Sequence, residues 1–467
     1  MPRRLAVAFF FSLSIAFLLV ASGQAQPTTS ASIPTNVDIS QRQTNESEEA
    51  IAVNPTNPNN IVEVSNVDFP AAGLLEGVSF DGGLTWTTKL IGDNDNLGDA
   101  CCDPSLSFDR YGNLFLAYLF NIEDTLPIAL STDGGLHFNQ IANISGIAKR
   151  NEPGSEKAKG LFRFIDQPTI TAGENEVWVV VNVGGPMGAF GATVSGLGQV
   201  GAFSTNEVVP GTNNCTYGDV AIGPGGKVMN VCTLTETGKG GGKLFVNVDP
   251  DGLGPAGFGS RVFVDSTHVG GFNFIPAQAG RSVDAEPGLA WDRTGGPNGG
   301  RVYVVYTLEQ KNGKDDTDIL VRYSDDDGAT WSAPVRVNDD ATQNSQFMPK
   351  ISLDPTTGKI AVVWYDARND LGTGGSGDTD GVPNDDAQFW GAFSNDGISF
   401  SPNVRISAGT SNSQDAHNGI DFGDYTGLSY FGGVAHPAWA DNSNSTGNNP
   451  DGALHQLDVL TASVSAP

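Results

Sequence analysis

The chain has 467 residues and a formal net charge of −28, because 25 Lys and Arg stand against 53 Asp and Glu. So acidic a protein is a poor partner for nucleic acid or for an anionic membrane surface, since both need a basic face. The content of 60 Gly and 26 Pro favours many turns over long helices.

The N-terminus has the pattern of a secretory signal peptide. Two arginines precede an apolar run over residues 5–20, and Gly23 and Ala25 supply the small residues of a cleavage site. An uncleaved anchor is the weaker alternative, because the run is short for a spanning helix and a polar segment follows at once. We therefore expect removal of residues 1–25. Residues 26–467 are expected to be a monomer without a membrane span, secreted to the extracellular space or the periplasm.

Seven segments of the mature chain repeat one pattern of strand, tight turn and strand. The first strand alternates apolar and polar residues, the turn is rich in Asp, Asn, Gly or Pro, and the second strand is a denser apolar run. Period-two alternation around such turns is typical of β-hairpins. The equivalent apolar residues of the first strands are Ile51, Leu106, Ile170, Val220, Leu289, Ile351 and Leu428.

The spacing of these residues leaves room for a four-stranded blade in each repeat. The sequence therefore predicts an all-β fold, a single β-propeller of about seven blades, with six as the alternative count. A β-sandwich would explain seven spaced copies poorly. The last unit offers only three strands, so segment 36–40 is expected to add the fourth and close the ring. The units are expected near residues 47–92, 102–147, 166–207, 217–267, 285–338, 347–407 and 424–463.

A second motif follows four of the hairpins. Residues 79–86 and 324–331 fit S-x-D-x-G-x-T-W at every fixed position, and residues 131–138 and 394–400 fit it in part. These segments resemble the Asp boxes, or BNR repeats, of the sialidase-like superfamily, and the resemblance covers nearly all of the mature chain. In that family the box joins the third and fourth strands of a blade. We interpret it as structural, because its Asp and Ser side chains can hydrogen-bond the amides of the turn.

The residues just before each first strand are expected to converge at the mouth of the central channel, where the innermost strands of such propellers begin. His417 and Asp424 flank an irregular loop that could border the same mouth. The converging residues are Glu48, Asp103, Asp166, Tyr217, Glu286 and Tyr425.

The resemblance to sialidases, which have six blades, also implies a site. Those enzymes use a Tyr nucleophile paired with Glu, an Asp acid, and three Arg that grip a substrate carboxylate. Carried over by position, the catalytic residues are Tyr425, Glu286 and Asp103. The substrate-binding residues implied are Arg42, Arg163, Arg281, Arg368, Tyr217 and Asp166. The Arg-Ile-Pro motif of the family is missing, since Arg42 is followed by Gln-Thr.

Two functions follow as hypotheses. The first is a secreted protein that hydrolyses or binds extracellular glycans at the channel mouth, with exo-sialidase activity as one form. The alternative is a non-catalytic propeller that serves as a binding or cell-envelope scaffold. Three Arg beside Tyr425 and Glu286 would favour the enzyme. A mouth lined only by carboxylates would favour a cation-dependent binder or scaffold.

Acidic segments and cysteines complete the expectations. No cofactor is required, but the acidic segments 92–103 and 377–386 offer hard oxygen ligands that suit Ca²⁺. The metal ligands expected in the second segment are Asp378, Asp380, Asp385 and Asp386. Cys215 and Cys232 flank a short hairpin and are expected to form a disulfide in an oxidising compartment. The adjacent Cys101 and Cys102 form either a vicinal disulfide or two buried thiols.

Overall fold

The computed structural model describes Met1 and nine stretches of the chain. Contacts divide the chain into Met1–Ser32 and Ile33–Pro467, and the fold below is that of the second unit. Of the expected signal peptide, residues 1–25, Met1 alone is among the described residues. Arg163 also lies outside the described residues. The described stretches are 32–68, 73–120, 125–145, 165–183, 186–204, 207–235, 240–271, 273–309 and 315–466.

Seven antiparallel sheets of four or five strands form a seven-bladed β-propeller. The prediction of an all-β propeller is confirmed, and the blade count is seven, not six. In the described part of the chain the helices are two single 3₁₀ turns, Pro224–Gly226 and Ser413–Ala416. None of the described helices has the length and apolar character needed to cross a membrane.

Each blade runs from an innermost strand at the channel to an outermost strand at the rim. The innermost strands are Glu46–Val53, Gly98–Phe108, Asp166–Ala172, Cys215–Ile222, Gly288–Trp291, Gln346–Leu353 and Gly427–Phe431. The second strands are Ile61–Val67, Leu114–Phe120, Glu176–Asn182, Val228–Thr235, Val302–Glu309, Ile360–Asp366 and Val434–Asp441. The third strands are Leu74–Ser79, Thr125–Ser131, Met187–Gly196, Gly242–Asp249, Thr317–Ser324, Gln388–Ser394 and Asp458–Ala462.

The outermost strands are shorter and less regular. They are Thr87–Ile91, Asn139–Ser145, Glu207–Val208, Val262–Thr267, Val335–Arg336, Val404–Arg405 and, in the seventh blade, Asn36–Asp38. The remaining short strands are Asp93–Asp95, Gln199–Val200, Asn273–Ile275, Gln278–Val283 and Val464–Ser465.

The N-terminal strand closes the ring, as the sequence predicts. Asn36–Asp38 pairs antiparallel with Asp458–Ala462, the third strand of blade 7. The Ser40 hydroxyl then accepts a hydrogen bond from the amide of Val459 at 2.9 Å. Both ends of the chain thus contribute to one blade, which leaves no open edge between the first and last blades.

The core lies between neighbouring blades. Trp178, Trp364 and Trp439 on the second strands are each at most 1% exposed, and truncating such a residue to Ala costs about 3–5 kcal/mol. The seven equivalent apolar residues of the first strands, from Ile51 to Leu428, together line the channel. The alternation in the sequence therefore locates the channel wall as well as the strands.

The S-x-D-x-G turns join the third and fourth strands at the rim. Ser324 Oγ accepts the amide of Gly328 at 2.9 Å and donates to Asp326 Oδ1 at 2.7 Å. Asp326 Oδ1 in turn accepts the amide of Thr330 at 2.8 Å. Gly328 has φ of 82°, a conformation that glycine adopts without strain. These hydrogen bonds hold the turn together, so its carboxylate has a structural role.

Two disulfides are present. The expected bond between Cys215 and Cys232 is confirmed and links the first two strands of blade 4. Of the two alternatives for Cys101 and Cys102, the structure has the vicinal disulfide. It lies on the innermost strand of blade 2, directly before Asp103.

Candidate active site at the channel mouth

An irregular backbone starts the innermost strand in six of the seven blades. In each of these blades one non-glycine residue, within the strand or in blade 5 two residues before it, has positive φ, a conformation that costs about 1–3 kcal/mol. The residues are Glu48 (59°), Asp103 (53°), Gln167 (50°), Tyr217 (45°), Glu286 (47°) and Met348 (52°). Because the positive φ repeats in six blades, it is a feature of the fold. The chemistry at each of these positions therefore depends on which side chain occupies it. In blade 3 the equivalent position is Gln167, and the predicted Asp166 precedes it.

Two connections form a cap at this mouth. One is the hairpin 273–283 between blades 4 and 5, and the other is the loop 413–424 between blades 6 and 7. Asp421 Oδ2 in the loop accepts the backbone amide of Arg281 at 2.8 Å. The side chain of Gln278 hydrogen-bonds the loop backbone in both directions, at 2.9 Å each. The cap therefore brings Arg281 to the mouth although its strand belongs to no blade.

Arg281 forms a two-pronged ion pair with Asp424. Its Nε donates to Asp424 Oδ1 at 2.7 Å, and its Nη2 donates to the other carboxylate oxygen. Although burial lowers the pKa of Arg281, the pairing with Asp424 holds it above the ordinary value. The amide of Asp424 donates to Glu48 Oε1 at 3.2 Å. A Cβ on Gly423 would lie 2.5 Å from Glu48 Cγ, so glycine permits this close approach.

Asp103 and Asp166 form a carboxyl pair beside this ion pair. Asp103 Oδ2 accepts the amide of Gln167 at 2.9 Å, which places its carboxyl group beside that of Asp166. Burial, with the neighbouring charge of Asp103, raises the pKa of Asp166 to about 8. Burial also raises the pKa of Asp103. Asp166 therefore holds a proton at neutral pH.

Glu48 and Asn66 connect this pair to the first blade. Asn66 Nδ2 donates to Glu48 Oε2, and Asn66 Oδ1 accepts the amide of Asp103 at 2.9 Å. Burial raises the pKa of Glu48 well above its ordinary value, and the charges of Asp424 and Asp103 add to the effect. Sequence reasoning missed Asn66, since nothing in its strand distinguishes it from any other polar residue.

The predicted Tyr425 and Glu286 share a cavity of about 130 Å³ in the channel, which Tyr217 and Lys350 also line. Burial raises the pKa of both tyrosines well above the ordinary value, so both phenols are neutral. Glu286 Oε1 accepts the amide of Asp284 at 3.4 Å, and its Oε2 has no hydrogen-bond partner among the described residues. Within the same residues no hydrogen bond joins Tyr425 to Glu286.

Of the four predicted arginines, the structure brings Arg281 to this cluster. Arg42 Nε instead donates to Glu46 Oε1 at 3.1 Å. Arg368 binds Asp366 and Asp339, each at 2.7 Å. Arg163 lies outside the described residues. In the described part of the chain, three arginines therefore do not meet beside Tyr425.

The mouth thus combines a protonated carboxyl group, a carboxylate in an ion pair, and two neutral phenols. The guanidinium of Arg281 is already paired with Asp424, so it offers no free positive charge to an anionic ligand. The four acidic residues at the mouth are Glu48, Asp103, Asp166 and Asp424.

The residues expected as metal ligands lie elsewhere, in a long loop of blade 6.

No protein-family model and no curated protein matches the chain. Similar solved structures include a protein of unknown function from Dyadobacter fermentans, 11% identical, with 92% of this chain and 98% of that chain covered and a TM-score of 0.48. A GH93 α-L-arabinofuranosidase of Fusarium graminearum is 14% identical, with 71% and 92% covered and a TM-score of 0.43. The Hadza microbial sialidase Hz136 is 10% identical, with 90% and 66% covered and a TM-score of 0.41. At these values the likeness is one of fold and says nothing about function.

Proposed function

We propose that the protein is a secreted, glycan-directed propeller that hydrolyses an uncharged glycoside at the channel mouth. The feature that carries the proposal is a buried carboxyl group with a raised pKa beside a carboxylate that is held in an ion pair. Asp166, with a pKa of about 8, is the proton donor to the leaving oxygen. Asp424, held in its ion pair by Arg281, is the base or nucleophile. Glycosidases need this division of roles between two carboxyl groups.

The charges argue against a sialoside as substrate. A sialoside carries a carboxylate, which sialidases bind with free arginine forks, whereas the Arg281 fork is occupied by Asp424. Of the residues lining the cavity beneath, Lys350 is the basic one. An anionic substrate would therefore find no unpaired guanidinium among the described residues of the mouth to offset its charge. The turns at Ser79 and Ser324 still support a relation to Asp-box proteins, but such a relation concerns the fold.

The two tyrosines support sugar binding. Tyr217 and Tyr425 are neutral phenols that line the same cavity. A neutral phenol offers a hydroxyl for hydrogen bonds with sugar hydroxyls and an apolar ring for the C–H face of a sugar. In this proposal Tyr425 binds the substrate and does not attack it.

The test is turnover of a panel of fluorogenic neutral furanosides and pyranosides, with a sialoside included. We expect the wild type to hydrolyse a neutral substrate and Asp424→Asn to be inactive. Tyr425→Phe is expected to raise KM and largely retain kcat. Asp93→Asn, which removes an exposed carboxylate outside the mouth, is the matched control and should behave as wild type. Hydrolysis of the sialoside that is lost in Tyr425→Phe would instead establish the sialidase mechanism.

A second function is favoured by the burial of the cluster. Glu48 is 4%, Asp103 9% and Asp424 7% exposed, and the amide of Asp424, at the end of the cap, donates to Glu48 Oε1. Such a cluster could serve to hold the ring shut in a non-catalytic binding or scaffold protein. Absence of turnover on every substrate, together with glycan binding that is lost in Tyr425→Ala, would support this alternative and contradict the hydrolase.

A further inference from the structure

A long loop of blade 6 carries a cluster of carboxylates that has no role in the proposed hydrolysis. Residues 367–387 connect the second strand, Ile360–Asp366, to the third strand, Gln388–Ser394. The loop contains five aspartates, and four of them were expected from the sequence as metal ligands. The five are Asp370, Asp378, Asp380, Asp385 and Asp386.

The carboxylates form two groups of three, each compact enough to hold one ion. Ligand oxygens of Asp370, Asp378 and Asp386 lie within 4.8 Å of one another. Oxygens of Asp380, Asp385 and Asp386 satisfy the same distance. Because Asp386 belongs to both groups, the five residues form one continuous cluster. Asp370 was missed from the sequence because it precedes the dense acidic segment.

One oxygen of the cluster lacks a partner. Asp385 is 5% exposed, and its Oδ1 has no hydrogen-bond partner among the described residues. Asp370 Oδ2, by contrast, accepts the amides of Asp385 and Asp386 at 2.8 and 2.9 Å. A buried carboxylate oxygen without a donor is strongly disfavoured. A cation would supply the missing partner.

The loop does not neutralise this charge itself. Its single basic residue is Arg368, and that guanidinium binds Asp366 and Asp339 at 2.7 Å each. The cluster contains neither His nor Cys, so its donors do not suit zinc or other metals that favour nitrogen and sulfur ligands. Several carboxylates in a glycine-rich, irregular loop suit Ca²⁺, which takes six to eight oxygen ligands in flexible geometry.

We propose that the loop 367–387 binds one Ca²⁺ ion through Asp380, Asp385 and Asp386, with Asp370 and Asp378 completing the acidic shell. The ion would fasten the loop to the start of the innermost strand of blade 6, because Asn384 Oδ1 accepts the amide of Ser345 at 2.7 Å. This site is independent of the proposed hydrolysis.

The test is calorimetric titration of the chelator-treated full-length secreted protein with CaCl₂ and, separately, with MgCl₂. We expect one saturable Ca²⁺ site per chain, at least about tenfold weaker Mg²⁺ binding, and a melting temperature that rises with added Ca²⁺. Asp385→Asn should weaken Ca²⁺ binding at least about tenfold and abolish the shift. Asp93→Asn, an equal charge change in the other acidic segment, should have no effect.

A second variant covers the case in which Asp385→Asn does not fold. Asp380 is exposed, so Asp380→Asn should fold normally and should also weaken Ca²⁺ binding. The proposal is overturned if the wild type shows no saturable Ca²⁺ binding, if Mg²⁺ binds equally well, or if the folded variants bind Ca²⁺ as the wild type does.

Discussion

The rim turns and the channel mouth use aspartate in opposite ways. In the rim turn of blade 1, Asp81 accepts the amide and hydroxyl of Thr85 at 2.9 and 2.6 Å. These hydrogen bonds, the hydroxyl first, lower the pKa of Asp81 to about 2. At the mouth, burial raises the pKa of Asp166 to about 8. The motif that is easiest to see in the sequence therefore has a structural role, whereas the carboxyl group that we propose as the proton donor belongs to no motif.

The source of the hydrogen-bond donors explains the difference. A rim turn supplies amide and hydroxyl donors from residues two to four positions away, so local sequence alone stabilises the charge. At the mouth, Asp103 and Asp166 come from neighbouring blades and face other carboxyl groups in a buried setting. Desolvation and like charge then favour the protonated form.

The largest expected effect is a loss of activity that distinguishes the channel mouth from the rim turns. Asp166→Asn removes the proposed proton donor and should lower kcat about 10²–10⁴-fold, whereas Asp81→Asn should leave kcat unchanged. Because Asp166 must be protonated, wild-type activity should fall as the pH rises through about 8. The check is the pH dependence of kcat on the substrate that the panel identifies. Equal losses in the two variants would show that the mouth has no special role.

The next effect concerns stability at the seam between blades 1 and 7. Burial raises the pKa of Glu46 to about 8 and that of Asp458 to about 7. Burial also raises the pKa of Glu63, and neither of its carboxyl oxygens has a hydrogen-bond partner among the described residues. Since the folded state holds these protons more tightly than the unfolded chain, their stabilisation is full below about pH 4 and is lost as the pH rises towards 8.

The expected result is an unfolding free energy that falls by a few kcal/mol between about pH 5 and pH 9. Urea unfolding at several pH values measures it, and Glu63→Gln should flatten the curve because an amide does not ionise. A protein that becomes more stable over this range would mean that these groups are ionised and paired in the folded state.

Local sequence patterns predicted the strands and turns of the propeller, whereas the contacts at the site depend on packing between residues that are distant in the sequence. Alternation and turn residues predicted the seven hairpins and the closing strand near Asn36, because both signals lie within short segments. Asp166 was predicted among the residues at the mouth, although the positive-φ position of blade 3 belongs to Gln167. Arg42 and Arg368 were predicted as substrate ligands, but each pairs with an acidic residue close to it in sequence, Glu46 and Asp366, and Arg368 also binds the more distant Asp339. Asn66 lies on the second strand of blade 1 and accepts a hydrogen bond from the amide of Asp103 in blade 2. No local sequence pattern indicates this contact between blades.

The smallest expected effect tests whether the rim turn is held by its own hydrogen bonds. Asp326→Ala removes the acceptor for Thr330 and Ser324, and the loss should resemble that of a helix cap, about 0.5–2 kcal/mol. The matched control is Asp325→Ala on the same turn, which breaks an exposed ion pair with Arg301. Such pairs contribute about 0–1 kcal/mol, and urea unfolding compares the two variants. A larger loss for Asp325→Ala would mean that the surface ion pair, rather than the hydrogen bonds within the turn, holds the edge of blade 5.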